Sequence, residues 1–413
     1  MTSQTSRRVV ISGLGVVAPN GIGKAAFWLA LKKGMLAVKP VQRFSTNELP
    51  IQVAGEVRDF NVEHYIDRKL ANRTDRVTHY VLAAVQEALS DAQLVLEQED
   101  PNCVGVVIAN TTGGVEFVAE QIEALYMRGP RFMSVYTAIA WLHVAHVGQT
   151  SVRYGLKGYS KTPVNDIVGG LDAFGIAYQA IRRGAADILI TGGCESLVQP
   201  ILLLLLGHSD QCATGDDPDG YRPFDQRASG FILAEGAGIC IIEEYEHARR
   251  RGAHIYGEIV GYGQTNDALA FGMPAPDGKQ YARAMELALH EAHMLPEDVG
   301  YFSLDGRALP HADQAEFDAL KGTFGTELCN LSVSVPRTMY GHSFAAAGAL
   351  DTITALLAFQ DGIIPPTINC EQLVPHYSLN LVQHEPESLS RSTALIGGRG
   401  LGGANVVVAI KKI

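Results

Sequence analysis

The 413-residue chain lacks long apolar segments, a surplus of positive charge and closely spaced cysteines. Runs such as the ILLLLL stretch at 201–206 are far shorter than the roughly 18 apolar residues of a membrane-spanning helix. Lysine and arginine total 33 against 44 acidic residues, and the resulting net charge of −11 argues against nucleic-acid or anionic-membrane partners. We therefore expect a cytoplasmic protein that binds neither nucleic acid nor membrane.

The six cysteines are scattered and include no C-x-x-C pair. In a chain of this size, with a hydrophobic fraction of 47%, that pattern argues against a disulfide framework and against zinc-ligand spacing. His290 and His293 lie three residues apart, so they lack the i, i+4 spacing that places two imidazoles on one metal. No metal site and no cofactor are expected.

Segments typical of strands and of helices alternate along the whole chain, which predicts an α/β fold with packed sheets. A short polar segment at 244–252 separates two such series, so we expect halves at 1–253 and 254–413. Each half contains a strand running into Gly-Gly, at 188–193 and at 394–398, which indicates a duplicated unit. The helix predicted at 170–183 is apolar on nearly all faces, which favours a buried central position.

The segment GLGVVA at 13–18 fits the glycine fingerprint of dinucleotide-binding folds. That fingerprint requires a helix to begin at the glycines, whereas Pro19, Asn20 and Gly21 delay the helix here. The acidic residue expected about 20 positions further on is also missing. We therefore interpret Gly13 as a turn at the end of a strand over 9–11.

Two residues are candidate nucleophiles. Ser343 lies in GHSFA, which resembles a hydrolase nucleophile elbow with its second glycine replaced, and Asp361 and His376 or His384 follow in hydrolase order. Cys194 follows a Gly-Gly pair, but no basic residue adjoins it in sequence to lower its pKa. A loop before a helix and a buried structural thiol are the respective alternatives.

Basic residues form two local clusters in this acidic chain. Such clusters either dock an acidic partner or belong to solvated helix faces, and the sequence leaves both open. The first cluster contains Arg68, Lys69, Arg73 and Arg76, and the second contains Arg128 and Arg131.

The helix predicted at 115–126 has one apolar, β-branched face. At 100° per residue, Val115 and Ile122 fall on the same side with Val118 beside them, while the glutamates at 116, 120 and 123 cluster on the other side. Such a face either packs into the core or lines an apolar cavity, and periodicity does not distinguish the two.

Five blocks of the sequence resemble the β-ketoacyl synthase family of the thiolase fold. In chain order they read RRVVISGLGVVAPNG, GLDAFGIAYQAIRRGAADILITGGCES, RPFDQRASGFILAEGAG, SVSVPRTMYGHSFAAAGALD and GLGGANVVV, and they span essentially the full length. The resemblance implies an α/β thiolase-like fold with duplicated halves and layered α-β-α-β-α sheets.

An active member of this family uses a cysteine at the N-terminus of a buried helix, two histidines and a lysine. Counting back from the GLDA block places Ile167 at the cysteine position. The first histidine corresponds to Asp305 and the lysine to Arg337, so His342 is the retained member. The terminal loop reads GLGG and is preceded by Arg399, where the family usually has a gating phenylalanine.

These losses resemble the chain-length factor, the noncatalytic partner of the ketosynthase in type II polyketide synthases. Many chain-length factors carry glutamine at the cysteine position, where it is linked to decarboxylative priming. Ile167 has no amide, so we expect no such activity. The alternatives are a ketosynthase-fold enzyme with altered chemistry, using His342 with Asp305 or Cys194, and the serine hydrolase centred on Ser343.

The resemblance further implies a heterodimer with a catalytic ketosynthase and a tunnel for the poly-β-keto chain at the interface. By similarity, the tunnel positions are Val115, Val118, Ile122, Ile201 and Leu202. Because these side chains are aliphatic rather than bulky and aromatic, we expect no early closure and a medium-to-long product. The chain substrate is carried by an acyl carrier protein, usually acidic, for which the two basic clusters are candidate docking sites.

Overall fold

The computed structural model describes residues 7–413. Within that range the helices are α1 (Lys24–Lys32), α2 (Arg68–Ala71), α3 (Arg76–Asp91), α4 (Val115–Arg128), α5 (Thr137–Ala140), α6 (Ala145–Tyr154), α7 (Gly169–Arg182), α8 (Pro200–Gly207), α9 (Tyr245–Arg250), α10 (Lys279–Ala292), α11 (Pro310–Phe324) and α12 (Ala345–Asp361).

The strands are β1 (Val9–Ala18), β2 (Gly21–Ile22), β3 (Lys39–Pro40), β4 (Val53–Ala54), β5 (Val104–Ala109), β6 (Ser160–Lys161), β7 (Ile188–Glu195), β8 (Gly236–Glu244), β9 (Gly257–Asn266), β10 (Tyr301–Ser303), β11 (Ser332–Ser334), β12 (Ile363–Ile364), β13 (Asn380–Leu381), β14 (Glu387–Ser388), β15 (Thr393–Arg399) and β16 (Ala404–Lys411).

The main strands of the two halves follow one another in the same spatial order. In the first half, β1, β8 and β7 are successively antiparallel, and β5 and β6 continue the sheet in parallel. In the second half, β9, β16 and β15 are antiparallel, and β10 and β11 continue in parallel. The sheets meet where three residues of β1 pair with β9. The predicted duplication is confirmed, and the division after residue 253 stays a prediction.

Helices cover both faces of each sheet. α3 packs on β1 and β8, α10 packs on β9 and β16, and α7 and α12 pack against each other between the sheets. α12 is buried from Ala345 to Phe359. Its own side chains are mostly alanine and leucine on all sides, so the helix has no polar face to turn towards solvent. The layers therefore run α-β-α-β-α, as predicted.

The prediction of a turn at Gly13 is wrong, since β1 continues through it to Ala18. Glycines are required here because α3 lies directly against the strand. A Cβ on Gly15 would come within 1.9 Å of the Ala84 carbonyl oxygen of α3. In the second half, a Cβ on Gly263 would come within 1.9 Å of the Ala284 carbonyl oxygen of α10. The repeated glycines thus serve helix–sheet packing in both halves.

Candidate active site and partner surfaces

Ile167 lies just before the N-terminus of α7, in the 3-10 turn Asp166–Val168. Its side chain is 3% exposed within the main core. The neighbouring Asp166 has a φ of 52°, accepts a 2.8 Å hydrogen bond from the Gly402 amide, and through its carbonyl accepts one of 2.8 Å from Thr111. These bonds fix the backbone around residue 167, whose side chain is a hydrocarbon.

Asp305 lies at the centre of a buried ionic cluster. Its Oδ2 is 3.1 Å from Nε of Arg307 and 3.0 Å from Nε of Arg399, and its Oδ1 is 3.8 Å from Nη1 of Arg337. Burial alone would raise the pKa of Asp305, but the three guanidinium charges outweigh burial and lower it to about 2. Asp305 is therefore negatively charged at neutral pH.

Arg337 contacts both His342 and α12, the helix between the sheets. It forms an ion pair with Asp351 of α12 and donates a 3.2 Å hydrogen bond to the Asp305 carbonyl. Its Nη1 is also 2.9 Å from Nε2 of His342. The Phe344 amide donates to Nδ1 at 3.2 Å, so a donor group faces each ring nitrogen and the doubly protonated ring is disfavoured. Burial and the charge of Arg337 hold the pKa of His342 well below its usual value.

Glu316 of α11 connects the cluster to the terminal loop. Its carboxylate accepts 2.9 Å hydrogen bonds from the amides of Asp305 and Gly306 and lies 3.2 Å from Nη2 of Arg399. Arg307 in turn donates to the carbonyl of Arg399, the last residue of β15. These bonds join α11, the loop after β10 and the start of the glycine-rich loop.

The positive and negative charges of the buried cluster balance each other. Its three guanidinium groups and three carboxylates carry formal charges that sum to zero, and each side chain is at most 2% exposed. Motif comparison identified half of these positions and missed Arg307, Glu316 and Asp351. A signal was present, because an acidic residue within an otherwise apolar helix such as α12 needs a buried cation. The members are Asp305, Glu316, Asp351, Arg307, Arg337 and Arg399.

The other candidate nucleophiles are not assembled into sites. Cys194 is fully buried in β7, its Sγ lies 3.4 Å from the Ala109 carbonyl oxygen, and burial raises its pKa well above the usual value. Ser343 is also buried, and its hydroxyl has no hydrogen-bond partner among residues 7–413. Asp361 bonds to Trp28 and Lys32 instead.

The two histidines of the hydrolase hypothesis are likewise elsewhere. His376 contacts Gln314, at 2.7 Å between Nε2 and Oε1, and His384 sits in a loop with a φ of 63°. In the described part of the chain, 7–413, no group of three or more His, Cys, Asp or Glu residues could hold a metal ion. Over the same residues, no helix has the length and apolar character to cross a membrane.

The predicted tunnel positions lie on the surface of this single chain. Ile122 of α4 is 45% exposed and Ile201 of α8 is 48% exposed. Val115, Val118 and Leu202 are half-buried. In α4 the buried residue is Phe117, which lies off the predicted apolar face. That face is therefore not ordinary core.

Further apolar side chains are exposed on α4, on α8 and on the segments between α4 and α6. Single exposed apolar residues are common, but a set of this size is typical of an interaction surface. It comprises Tyr126, Met127, Val135, Ile139, Trp141, Val144, Leu204 and Leu205.

The basic residues of the first cluster differ in whether their charges are exposed or paired within the chain. Arg68 and Lys69 are exposed on α2, and Arg73 stacks on the Tyr136 ring at 4.6 Å. Lys69 and Arg73 line a surface groove of about 480 Å³. Arg76, in contrast, is engaged in an ion pair with Glu116.

The second cluster is arranged around one ring. Arg128 and Arg131 both lie over Phe132, at 4.3 Å and 4.9 Å from the ring centroid. Phe132 is 40% exposed, so the two guanidinium groups stay at the surface.

Comparison with known proteins assigns the architecture. Residues 6–248 match the N-terminal domain of β-ketoacyl synthases and residues 256–371 match their C-terminal domain. The ishigamide ketosynthase/chain length factor superposes with a TM-score of 0.93 at 27% identity, covering 99% of this chain and 100% of that one. A type II PKS acyl-carrier protein in complex with its ketosynthase bound to the hexaketide gives a TM-score of 0.90 at 29% identity, with coverage of 99% and 100%.

Two curated relatives match over nearly the whole length. The tetracenomycin polyketide synthase ketoacyl synthase beta subunit of Streptomyces glaucescens is 38% identical over 406 residues, 98% of both chains. The 3-oxoacyl-(acyl-carrier-protein) synthase 2 of Staphylococcus aureus (strain COL) is 36% identical over 408 residues, 98% of this chain and 99% of that protein. The fold is thus the thiolase-like ketosynthase fold. The chain belongs to the β-ketoacyl synthase family, and its relatives include a type II polyketide synthase beta subunit.

Proposed function

We propose that this chain is the noncatalytic, chain-length-determining subunit of a type II polyketide synthase. The observation that carries the proposal is the site itself. By motif, Ile167 corresponds to the position of the family's nucleophile, and the other positions assigned by motif, Asp305 and Arg337, belong to a charge-balanced buried ionic cluster. Thioester exchange needs a thiolate, and both ring nitrogens of His342 face donor groups of this chain, Arg337 and the Phe344 amide.

The proposed partner is a catalytic ketosynthase subunit that covers the apolar face of α4 and α8. A face of this kind is costly to leave in water, and burying it releases roughly 25 cal/mol per Å² of apolar surface. The similarity to the ishigamide ketosynthase/chain length factor supports a heterodimer. In that heterodimer Val115, Val118, Ile122, Ile201 and Leu202 would line the far end of the polyketide tunnel.

The proposed substrate is a poly-β-keto chain held on an acyl carrier protein. Arg68, Lys69 and Arg73, with the groove beside them, offer positive charge to an acidic carrier. Arg128 and Arg131 are a second candidate surface. The charge-reversal variant Arg68→Glu/Arg73→Glu should weaken carrier-protein binding, measured by titration at two salt concentrations, and unaltered affinity would remove the first cluster from the proposal.

The decisive experiment is co-expression with a catalytic ketosynthase subunit of a type II polyketide synthase, followed by native mass spectrometry and product analysis. We expect a one-to-one complex, product formation only when both chains are present, and no acyl or epoxide-probe adduct on this chain. Labelling of this chain by the probe, or products made by this chain alone, would instead support an enzyme with altered chemistry.

The tunnel assignment has its own test. Replacing Val115 or Ile122 by tryptophan places a large ring in the proposed tunnel and should shorten the product detected by mass spectrometry. Ile139→Trp, on the same exposed surface but outside the proposed lining, is the matched control. Equal product length in all three variants would reject the assignment.

A further inference from the structure

We infer that Asp75, Arg76 and Glu116 form a clamp that sets the position of α4, and that these three are positioning residues for product length. The inference rests on the proposed function, because α4 matters for product length only if it lines the tunnel. It also gives Arg76 a role different from carrier-protein docking.

α4 has few means of its own to hold its position. Its N-cap residue is Gly114, whose lack of a side chain leaves the first amides of the helix without a local cap. Phe117 is the fully buried residue of this helix, while Val115, Val118 and Leu125 are half-buried. Polar contacts to neighbouring elements therefore add to a limited apolar contact.

Asp75 supplies the missing cap from another helix. Its Oδ1 accepts a 2.8 Å hydrogen bond from the Val77 amide at the start of α3, and its Oδ2 accepts one of 2.8 Å from the Phe117 amide at the start of α4. The side chain is 1% exposed. One carboxylate thus joins the N-terminal ends of both helices, where the helix dipoles favour negative charge.

Gly114 allows this approach. A Cβ at Gly114 would lie 2.9 Å from Cβ of Asp75 and 2.2 Å from the Ala140 carbonyl oxygen. The close contact between the two helix ends therefore depends on a residue without a side chain.

The next contact between the two helices is a bidentate ion pair between Arg76, which follows Asp75, and Glu116, which precedes Phe117. Nε of Arg76 is 2.6 Å from Oε2 of Glu116, and Nη2 is 2.8 Å from Oε1. Burial raises the pKa of Glu116, but the hydrogen bonds and charge of Arg76 outweigh burial and leave it lowered. This planar geometry resists rotation of α4 about its axis in a way that a single contact does not.

The clamp adjoins the proposed tunnel positions along the same helix. Glu116 follows Val115 directly, and Ile122 lies six residues, or about 9 Å, further along the axis. A tilt of about 10° about the clamp would move Ile122 by about 1.5 Å, which is close to the size of a methyl group. Loosening the clamp should therefore make the position of the tunnel end variable without removing any lining side chain.

The test uses the complete heterodimer with its carrier protein and compares product distributions. Arg76→Gln and Glu116→Gln should raise the ratio of minor to main chain lengths about threefold to fivefold, with the complex intact by native mass spectrometry. The conservative variant Arg76→Lys keeps a positive charge beside Glu116 and should change the distribution less than Arg76→Gln does. Arg249→Gln, which breaks the exposed ion pair with Glu246 on α9, is the control and should leave it unchanged.

Each contrary result has a separate meaning. If Arg76→Gln lowers the rate of all products equally, and carrier-protein affinity falls with it, then Arg76 is a docking residue and the clamp is rejected. Loss of the heterodimer in both single variants would also reject it, since the pair would then serve assembly. If Val115→Trp shortens the product while the clamp variants do nothing, the proposed function stands without the clamp. If Val115→Trp has no effect either, the tunnel proposal fails.

Discussion

The buried ionic cluster makes a quantitative prediction through its central carboxylate. Asp305→Asn keeps the shape of the side chain but removes the negative charge shared by three guanidinium groups. Arg399 still has Glu316 and Arg337 still has its own carboxylate partner. Arg307 loses its carboxylate partner and remains a charge with no exposed side-chain surface.

The expected cost follows from that single uncompensated charge. Removing one partner of a buried ion pair typically costs about 3–5 kcal/mol in the free energy of unfolding. The double variant Asp305→Asn/Arg307→Met removes both members and leaves two cations and two anions, so the cluster is balanced again. We expect it to recover most of the loss, as replacing a complete buried pair by apolar groups is often close to neutral.

The assay is urea denaturation of the purified chain, followed by fluorescence and far-UV circular dichroism, for the wild type and both variants. Asp277→Asn, which breaks the exposed pair with Lys279, is the control and should cause no measurable change. A single variant within about 1 kcal/mol of the wild type, or a double variant no more stable than the single one, would refute the reasoning.

The same variant has a predictable pH dependence. The charges around it lower the pKa of Asp305 to about 2 in the folded chain, below its value of roughly 3.9 when unfolded. Its contribution to stability is therefore complete above about pH 4 and is lost as the pH falls towards 2. The difference between the wild type and Asp305→Asn should shrink over that interval.

Three further substitutions test other parts of the structure by the same denaturation assay. Burial raises the pKa of Asp313 to about 7, so the wild type should lose stability as the pH rises from about 4 to about 7. Asp313→Asn should flatten that pH dependence. An unchanged slope would contradict the prediction. Gly15→Ala should cost about 3 kcal/mol, because the added methyl group meets the Ala84 carbonyl oxygen; a neutral effect would count against the helix–strand contact. Gly148→Ala, in α6 with nothing within 4 Å of the added Cβ, should stabilise the free chain by about 0.5–1 kcal/mol, and a loss would be the opposite of expectation.

Much of the fold could be predicted from local patterns. The buried helices α7 and α12 are apolar on nearly all faces, and the Gly-Gly strand ends indicated the duplication that the strand order confirms. The turn expected at Gly13 was wrong because glycine has two common uses, a turn or a close approach of another backbone. The sequence around it does not say that α3 will lie there.

The positions of the site were predictable by motif, but the state of its groups was not. Comparison of blocks predicts that Ile167, Asp305 and Arg337 are the altered members and His342 the retained one, and this assignment stays a prediction. Whether Arg337 would leave His342 available depended on the 2.9 Å contact between them, which only folding creates. Likewise, Arg76 belongs to a basic run in the sequence, yet in the structure its charge is paired with a glutamate 40 residues away.

The sequence by itself determined the family, the order of strands and helices, and the absence of a thiol at residue 167, since these depend on residue identity and local periodicity. The tertiary structure alone decided how charges are compensated. Desolvation makes an unpaired buried charge very costly, so the carboxylates of α11, α12 and the loop after β10 must meet arginines from other segments. Which of them meet is a matter of distances between elements remote in the chain, and no local pattern contains those distances.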